Sequence, residues 1–158
     1  ELQDIPGNRS VVLAHETAKE AGIELVLFPV QNKEGNAATA AQISAENVQG
    51  MIVGGDSLIW SGLDEYIKQA IKEKLPLAVF DTDQVKRGAL VGFGPDYTVM
   101  GQQAAGIADQ ILQNKKPGDI PVETPRKLLL TVNLDTARAI GIVFDPLLLR
   151  EADVLIGK

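Results

Sequence analysis

The sequence predicts an α/β domain built on a mostly parallel sheet. Three observations carry the prediction. Short apolar runs of strand length alternate with segments of helical spacing, the pattern of βα units. Two of those runs, "GMIVGG" and "LPLAVF", are continuously apolar, as expected of strands covered on both faces. The chain has 158 residues, 45% of them hydrophobic, enough for one compact core.

Each element has a local reason. Residues 1–9 are polar and contain Pro6-Gly7, a loop signature. Asn8 or Ser10 can cap a helix with the body "VVLAHETAKEA", and Gly22 stands where a left-handed residue ends it. "IELVLFPV" has strand composition, with Pro29 near its end or on an edge. Asn36 opens an alanine-rich helix, "AATAAQISAEN". "GMIVGG" is the next strand. Ser57 can cap the helix after it, in which Leu63, Ile67, Ala70 and Ile71 share a face. Asp64 and Lys68 stand at ion-pair spacing on that helix. "LPLAVF" is a strand, "QVKR" a basic turn, and "GALVGFG" a fourth strand. Met100, Ala104, Ile107 and Ile111 mark a long helix ending near Asn114. "KKPGDIPVETP" is a proline-rich connector, and "RKLLLTV" is expected to be the final strand. Asn133 caps a short helix stopped by Gly141, and "DPLLLREAD" is one more helical turn.

Composition narrows the chemistry. The net charge of −6 offers nothing to nucleic acid or to an anionic membrane surface. With no cysteine there are no disulfides, thiolates or cysteine-bound zinc. The one histidine, His15, rules out any mechanism that needs two imidazoles. No apolar run approaches the roughly 20 residues that span a bilayer.

In open α/β sheets ligands bind beyond the carboxyl ends of the strands. Four loops follow the expected strands: Pro29 to Asn32, Gly54 to Ser57, Phe80 to Asp83, and Gly94 to Tyr97. Three of the four carry aspartate, and a parallel sheet would bring them to one edge. Gly55 lets the backbone approach a ligand or simply serves a turn. Asp56 and Ser57 suit an ammonium or a helix start equally well. Trp60 suits stacking on a ligand or burial in the core. Asp81 and Asp83 have oxygen ligands for a divalent metal, but one Asp-Thr-Asp is a thin signal. "GFGPDY" lacks the dinucleotide-binding spacing, and there is neither a GK[ST] phosphate loop nor a GxSxG elbow. An oxygen-rich rim without a base or nucleophile suits binding rather than catalysis.

The stretches "ELVLFPV", "MIVGGDS", "LPLAVFDTDQVKRGALVGFGPDYTVMGQQAAGIADQIL", "KKPGDIPVETPRKLLLTVNLDTARAIGI" and "DPLLLREADVLI" resemble the carboxyl-terminal half of ABC-transporter substrate-binding proteins. The tryptophan- and tyrosine-type branch is the nearest. The resemblance runs from about Asn8 to the end and is most specific from Asp81 to Asn133.

That resemblance implies a type I periplasmic-binding fold: two α/β lobes, a hinge, and a solute clamped between them, with no enzymatic step and no cofactor. Residues 1–158 would form one lobe. An amino-terminal lobe and a central first strand would be missing, making the chain a fragment. The segment at 24–30 would then lack a backbone partner. The helix at 96–116 would pack on the missing lobe and, without it, expose Met100, Ile107 and Ile111 and promote self-association. The family's Thr-Asp-Asn set falls on Gly55, Asp56 and Ser57, and its Ser-Asp pair on Phe80 and Asp81. Asp56 and Asp81 would grip the ammonium of an amino acid or other amine-bearing solute, and Phe80 would add an apolar or stacking surface. Expected partners are the solute and the membrane permease, not nucleic acid. The expected location is periplasmic or extracytoplasmic, as a lipoprotein in Gram-positive hosts. Two rivals stand beside this reading: a sensory domain of the same fold attached to a regulator, and a metal-dependent enzyme using Asp56, Asp81 and Asp83.

Overall fold

A computed structural model describes residues 9–157; the Pro6-Gly7 loop and the Asn8 cap lie outside the described residues. The chain folds in the order α1 (Arg9–Glu20), α2 (Gly35–Ala41), β1 (Met51–Val53), α3 (Ser57–Ser61), α4 (Leu63–Glu73), β2 (Leu77–Val79), a 3-10 helix (Thr82–Arg87), β3 (Val91–Pro95), α5 (Tyr97–Leu112), β4 (Leu128–Asn133), α6 (Leu134–Ile140), α7 (Pro146–Glu151) and β5 (Val154–Ile156). The five strands form one sheet in the order β1-β2-β3-β4-β5. Three neighbouring pairs are parallel; only β3 and β4 run antiparallel. The α/β, mostly parallel architecture is as the sequence predicts.

The core forms on one face of this sheet, not on both as the continuous apolar runs predict: Ile52 and Phe93, on the opposite face, are 64% and 54% exposed, because alternate strand residues point away from α4. Met51, Val53, Leu77 and Val79 point to the same side and meet Leu63, Tyr66, Ile67 and Ala70 of α4 and Val85 of the 3-10 helix. Period-2 alternation in the strands and helical spacing in α4 make that contact possible. Buried Asn36 ties three helices together: its amide donates to the Lys33 and Leu58 carbonyls, and its oxygen accepts from the Tyr66 hydroxyl at 3.1 Å. Gly62 is required beside it, because a Cβ there would lie 2.4 Å from the Asn36 side chain. A smaller apolar cluster joins Leu90 to Ala137 and Ile140 of α6.

Several expectations need correction. "IELVLFPV" forms no strand; residues 23–30 pair with no strand among the described residues. Strand composition alone cannot make a ladder, since a strand needs a neighbour to satisfy its N–H and C=O groups. β1 is consequently an edge. Met51 spends its N–H on the Pro76 carbonyl at 2.8 Å, so the backbone groups of Ile52 face away from β2. Its side chain is 64% exposed. "RKLLLTV" is not the final strand, because β5 follows it and pairs parallel to β4. The alanine-rich helix stops at Ala41, well short of Asn47. The helix after β1 is broken at Gly62 into α3 and α4. Its cap is Asp56 rather than Ser57, which occupies the first helical position. The expected Asp64–Lys68 pair is absent: Lys68 meets Glu65 at 3.0 Å and Asp64 meets Arg87 at 2.8 Å. Asn133 and Gly141 bound α6 as expected, Gly141 with φ +79°.

Candidate functional site: an acidic rim at the strand ends

β1, β2 and β3 point the same way, so their carboxyl ends share one edge of the sheet. Each end gives way to an aspartate that caps the next helix. Asp56 follows β1 and its Oδ1 accepts the Leu58 N–H at 2.7 Å. Asp81 follows β2 and accepts the Asp83 N–H at 2.9 Å. Asp96 follows β3 and accepts the N–H groups of Thr98 and Val99 at 3.0 and 3.2 Å. The repetition is physical: a helix start offers unpaired N–H groups and a partial positive charge, and a short carboxylate answers both.

The three differ in what they leave free. Asp56 stands exposed in the Gly54-Gly55 turn, and among the described residues its second oxygen has no hydrogen-bond partner. Asp81 is only 6% exposed, and its Oδ2 takes the Gln84 amide at 3.3 Å. Asp96 has Lys127 Nζ 3.5 Å from Oδ2. Phe80 stands half-exposed just before Asp81. Gly55 runs beside the Trp60 ring, where an added Cβ would lie 3.7 Å from Cζ2. Ser57 is exposed at the head of α3. Trp60 packs partly into the main core, and its buried indole N–H finds no acceptor among the described residues. Such an orphan donor is rare in a finished interior.

The edge gathers three of the four sequence-nominated loops. The Pro29–Asn32 loop is not brought in as a strand end, because 23–30 is not a strand; Asn32 instead caps its own turn by accepting the Gly35 N–H at 2.9 Å. Lys86 and Arg87 divide their roles: Lys86 pairs with Asp83 at 2.7 Å, while Arg87 leaves the rim for Asp64 and Gln84. Gly94 brings β2 and β3 into backbone contact at the rim, where a Cβ would fall 2.2 Å from the Phe80 carbonyl oxygen.

Two rim residues were passed over as candidates. Asp96 and Tyr97 lie in a loop the sequence flagged, but nothing in their identity separated them from an ordinary helix start. Tyr97 is half-exposed. Burial raises its phenol above the usual value, and the charges of Asp81 and Asp83 push it further, so the ring sits within the field of the neighbouring loop. A separate concavity of about 410 Å³ lies between α2 and the start of α4, lined by Lys33, Asn36, Gly62 and Asp64 among others. It contains none of the rim aspartates.

The Asp96 carboxyl is held below its ordinary range, first by the Val99 N–H, with the Thr98 N–H and Lys127 adding to the effect. A depressed folded-state value contributes stability that is present above the unfolded carboxylate value of about 4 and is lost as pH falls through the folded one. Acid titration of α5 amide shifts is therefore expected to show uncapping below pH of about 4. Asp96→Asn keeps the cap acceptor and should remove that transition.

The arrangement presents carboxylates and aromatic side chains on one open edge of the sheet. Its likeness to known proteins is consistent with that class. The family model for ABC transporter substrate-binding proteins matches residues 7–156. The tyrosine-binding protein of Clostridioides difficile (strain R20291) is 32% identical over 127 residues, covering 80% of this chain and 36% of the relative. A Rickettsia prowazekii protein, RP367, is 31% identical over 117 residues, covering 74% of this chain and 38% of its own. Among solved structures, a conserved domain protein from Vibrio cholerae superimposes with TM-score 0.85 at 27% identity, over 92% of this chain and 49% of that one. An ABC domain in complex with L-Trp from Streptococcus pneumoniae gives TM-score 0.84 at 25% identity, over 93% of this chain and 50% of that one.

The fold and the rim define a periplasmic-binding-type domain. The chain belongs to the ABC transporter substrate-binding protein family. It spans less than two-fifths of the length of these curated relatives and about half of the solved chains.

Proposed function

We propose that this chain is one ligand-gripping lobe of the solute-binding component of an ABC import system. The solute is an amine-bearing small molecule, with an aromatic amino acid as the first candidate. The observation that carries the reading is the convergence of Asp56, Asp81 and Asp96 on one edge of three parallel strands. Opposite charge offsets the cost of desolvating an ammonium. Asp56, with a free oxygen, makes the primary contact; Ser57 and the Gly55 backbone complete it. Asp81, Phe80 and Trp60 form the wall behind. Two relatives, a tyrosine-binding protein and a domain solved in complex with L-Trp, support the solute class by analogy.

A second lobe closes the site. Residues 1–158 are a lobe of a longer protein, and the open features of the fold are where the rest attaches. Among the described residues, Ile52 offers an unpaired backbone edge, residues 23–30 lie unpaired, and α5 carries no fully buried residue, with Leu112 82% exposed. Isolated, such a surface drives self-association. Loaded and closed, the two-lobe protein delivers its solute to membrane permease subunits from the extracytoplasmic side, held there by a lipid anchor in Gram-positive hosts.

The test is calorimetric titration of the full-length protein with L-tryptophan, L-tyrosine, tryptamine and indole-3-propionate. The amines are expected to bind. The propionate, which lacks the ammonium, is expected to bind at least about thirtyfold more weakly, the loss of a buried charge pair. If no amine-bearing solute binds, the reading fails.

A further inference from the structure

Gln103, in the second turn of α5, has an unusual set of bonds for a partly exposed side chain. Its Nε2 donates to Glu123 Oε2 at 2.8 Å and to the Thr124 carbonyl at 3.1 Å. Its Oε1 accepts the Arg126 N–H at 3.0 Å. Glu123 Oε2 also accepts from Arg126 Nη2 at 2.9 Å, which closes the knot. Among the described residues, every hydrogen bond between the body of α5 and the strap Glu123–Arg126 runs through this one amide.

The same unit is joined to the sheet at one place. Pro95 and Leu128 are the last partners of the antiparallel β3–β4 ladder. Just beyond them Asp96 donates its N–H to the Lys127 carbonyl at 3.0 Å, and Lys127 Nζ reaches the Asp96 carboxylate. No residue of α5 is fully buried, although Met100 and Ile107, expected to be exposed, are partly covered, so packing holds the helix only lightly. Helix and strap therefore leave the sheet side by side through two adjacent strands, and among the described residues Gln103 makes the hydrogen bonds that lock one to the other.

We propose that Gln103 is a positioning residue: it makes residues 97–126 a single rigid arm, hinged at the exit of β3 and β4, and so fixes Asp96 and Tyr97 on the solute-binding rim. The consequence for affinity rests on the solute-binding function proposed above; the clasp itself does not. With the clasp intact, rotation at the hinge carries α5 and strap together and moves Asp96 and Tyr97 as a pair relative to Asp56. With it broken, the strap moves independently and the rim position of the pair blurs. Three hydrogen bonds on one side chain allow a large local effect with little change in the core.

Hydrogen exchange and L-tryptophan titration of the full-length protein decide it. Gln103→Leu is expected to raise exchange of the Arg126 amide, the strap N–H that Gln103 Oε1 holds, by at least about tenfold, leave the amides of α4 and β2 unchanged, and weaken tryptophan about tenfold. The swapped pair Gln103→Glu with Glu123→Gln keeps the acceptor for the Arg126 N–H and a donor–acceptor match between the two side chains, but turns a carboxylate oxygen toward the Thr124 carbonyl, so it should recover both readouts only in part. Unchanged strap exchange in Gln103→Leu overturns the clasp, as does loss of protection spread equally through the core. Faster strap exchange with unaltered tryptophan affinity overturns the positioning role. A wild-type protein that binds no amine defeats the solute reading, while strap exchange still tests the clasp.

Discussion

Asp56→Asn is expected to leave the fold intact and weaken an amine-bearing solute by about thirtyfold to a few thousandfold, the 2–5 kcal/mol cost of removing one partner of a buried charge pair. The two roles of Asp56 are separable because they use different properties. As a cap it needs only an oxygen that accepts the Leu58 N–H, and asparagine supplies one equally well. As a ligand group it needs a charge. Stability should therefore change by less than about 0.5 kcal/mol in Asp56→Asn, whereas Asp56→Ala should lose about 1 kcal/mol of helix capping as well. Calorimetric titration and thermal unfolding of the same three proteins separate the effects. Equal solute affinity in wild type and Asp56→Asn would leave Asp56 as a cap and nothing more.

Gly94→Ala should cost at least about 2 kcal/mol of stability, lowering the melting temperature by about 4–8 °C. The added Cβ would meet the Phe80 carbonyl oxygen at 2.2 Å and its carbon at 3.0 Å. Both are backbone atoms, so no side chain can swing aside; β2 and β3 must part at their carboxyl ends. Those ends carry Asp81 and Asp96, so solute affinity should fall along with stability. Gly106→Ala is the control within the adjoining helix. A Cβ there meets nothing within 4 Å, and alanine's better helix propensity should stabilise α5 by about 0.5–1 kcal/mol. Differential scanning calorimetry of the two variants tests the contrast, and a stable Gly94→Ala would mean that the strand ends are looser than this geometry allows.

Much of the fold was legible because its signals are local. Continuous apolar runs gave β1 and β2. Asn133 and Gly141, a cap and a left-handed terminator, bounded α6. The segment 23–30 shows the limit of such signals. Its composition is that of a strand, yet pairing is a property of two segments, and among the described residues no strand lies beside it. β5 was missed for the opposite reason: "VLI" is too short to declare itself, and it is a strand because β4 lies open next to it. The helix after β1 looked continuous from its apolar spacing. Its break at Gly62 comes from the close approach of Asn36, a residue far away in sequence.

The candidate site divides in the same way. That aspartates follow successive strands is written in the chain, since each strand end and each helix start has its own composition. Which of them keeps an oxygen free is not. Asp56 and Asp81 look alike in sequence, but Gln84 folds back onto Asp81 and buries it, while the glycines before Asp56 leave it in the open. The sequence by itself determined the α/β class, the alternation of strands and helices, and the acidic turns at three strand ends. The tertiary structure alone decided that those turns share an edge, that β3 and β4 run antiparallel, and that Gln103 binds the strap to α5. The physical reason is range: capping and periodicity are settled within a few residues, whereas strand pairing and side-chain partnership depend on groups that only folding brings together.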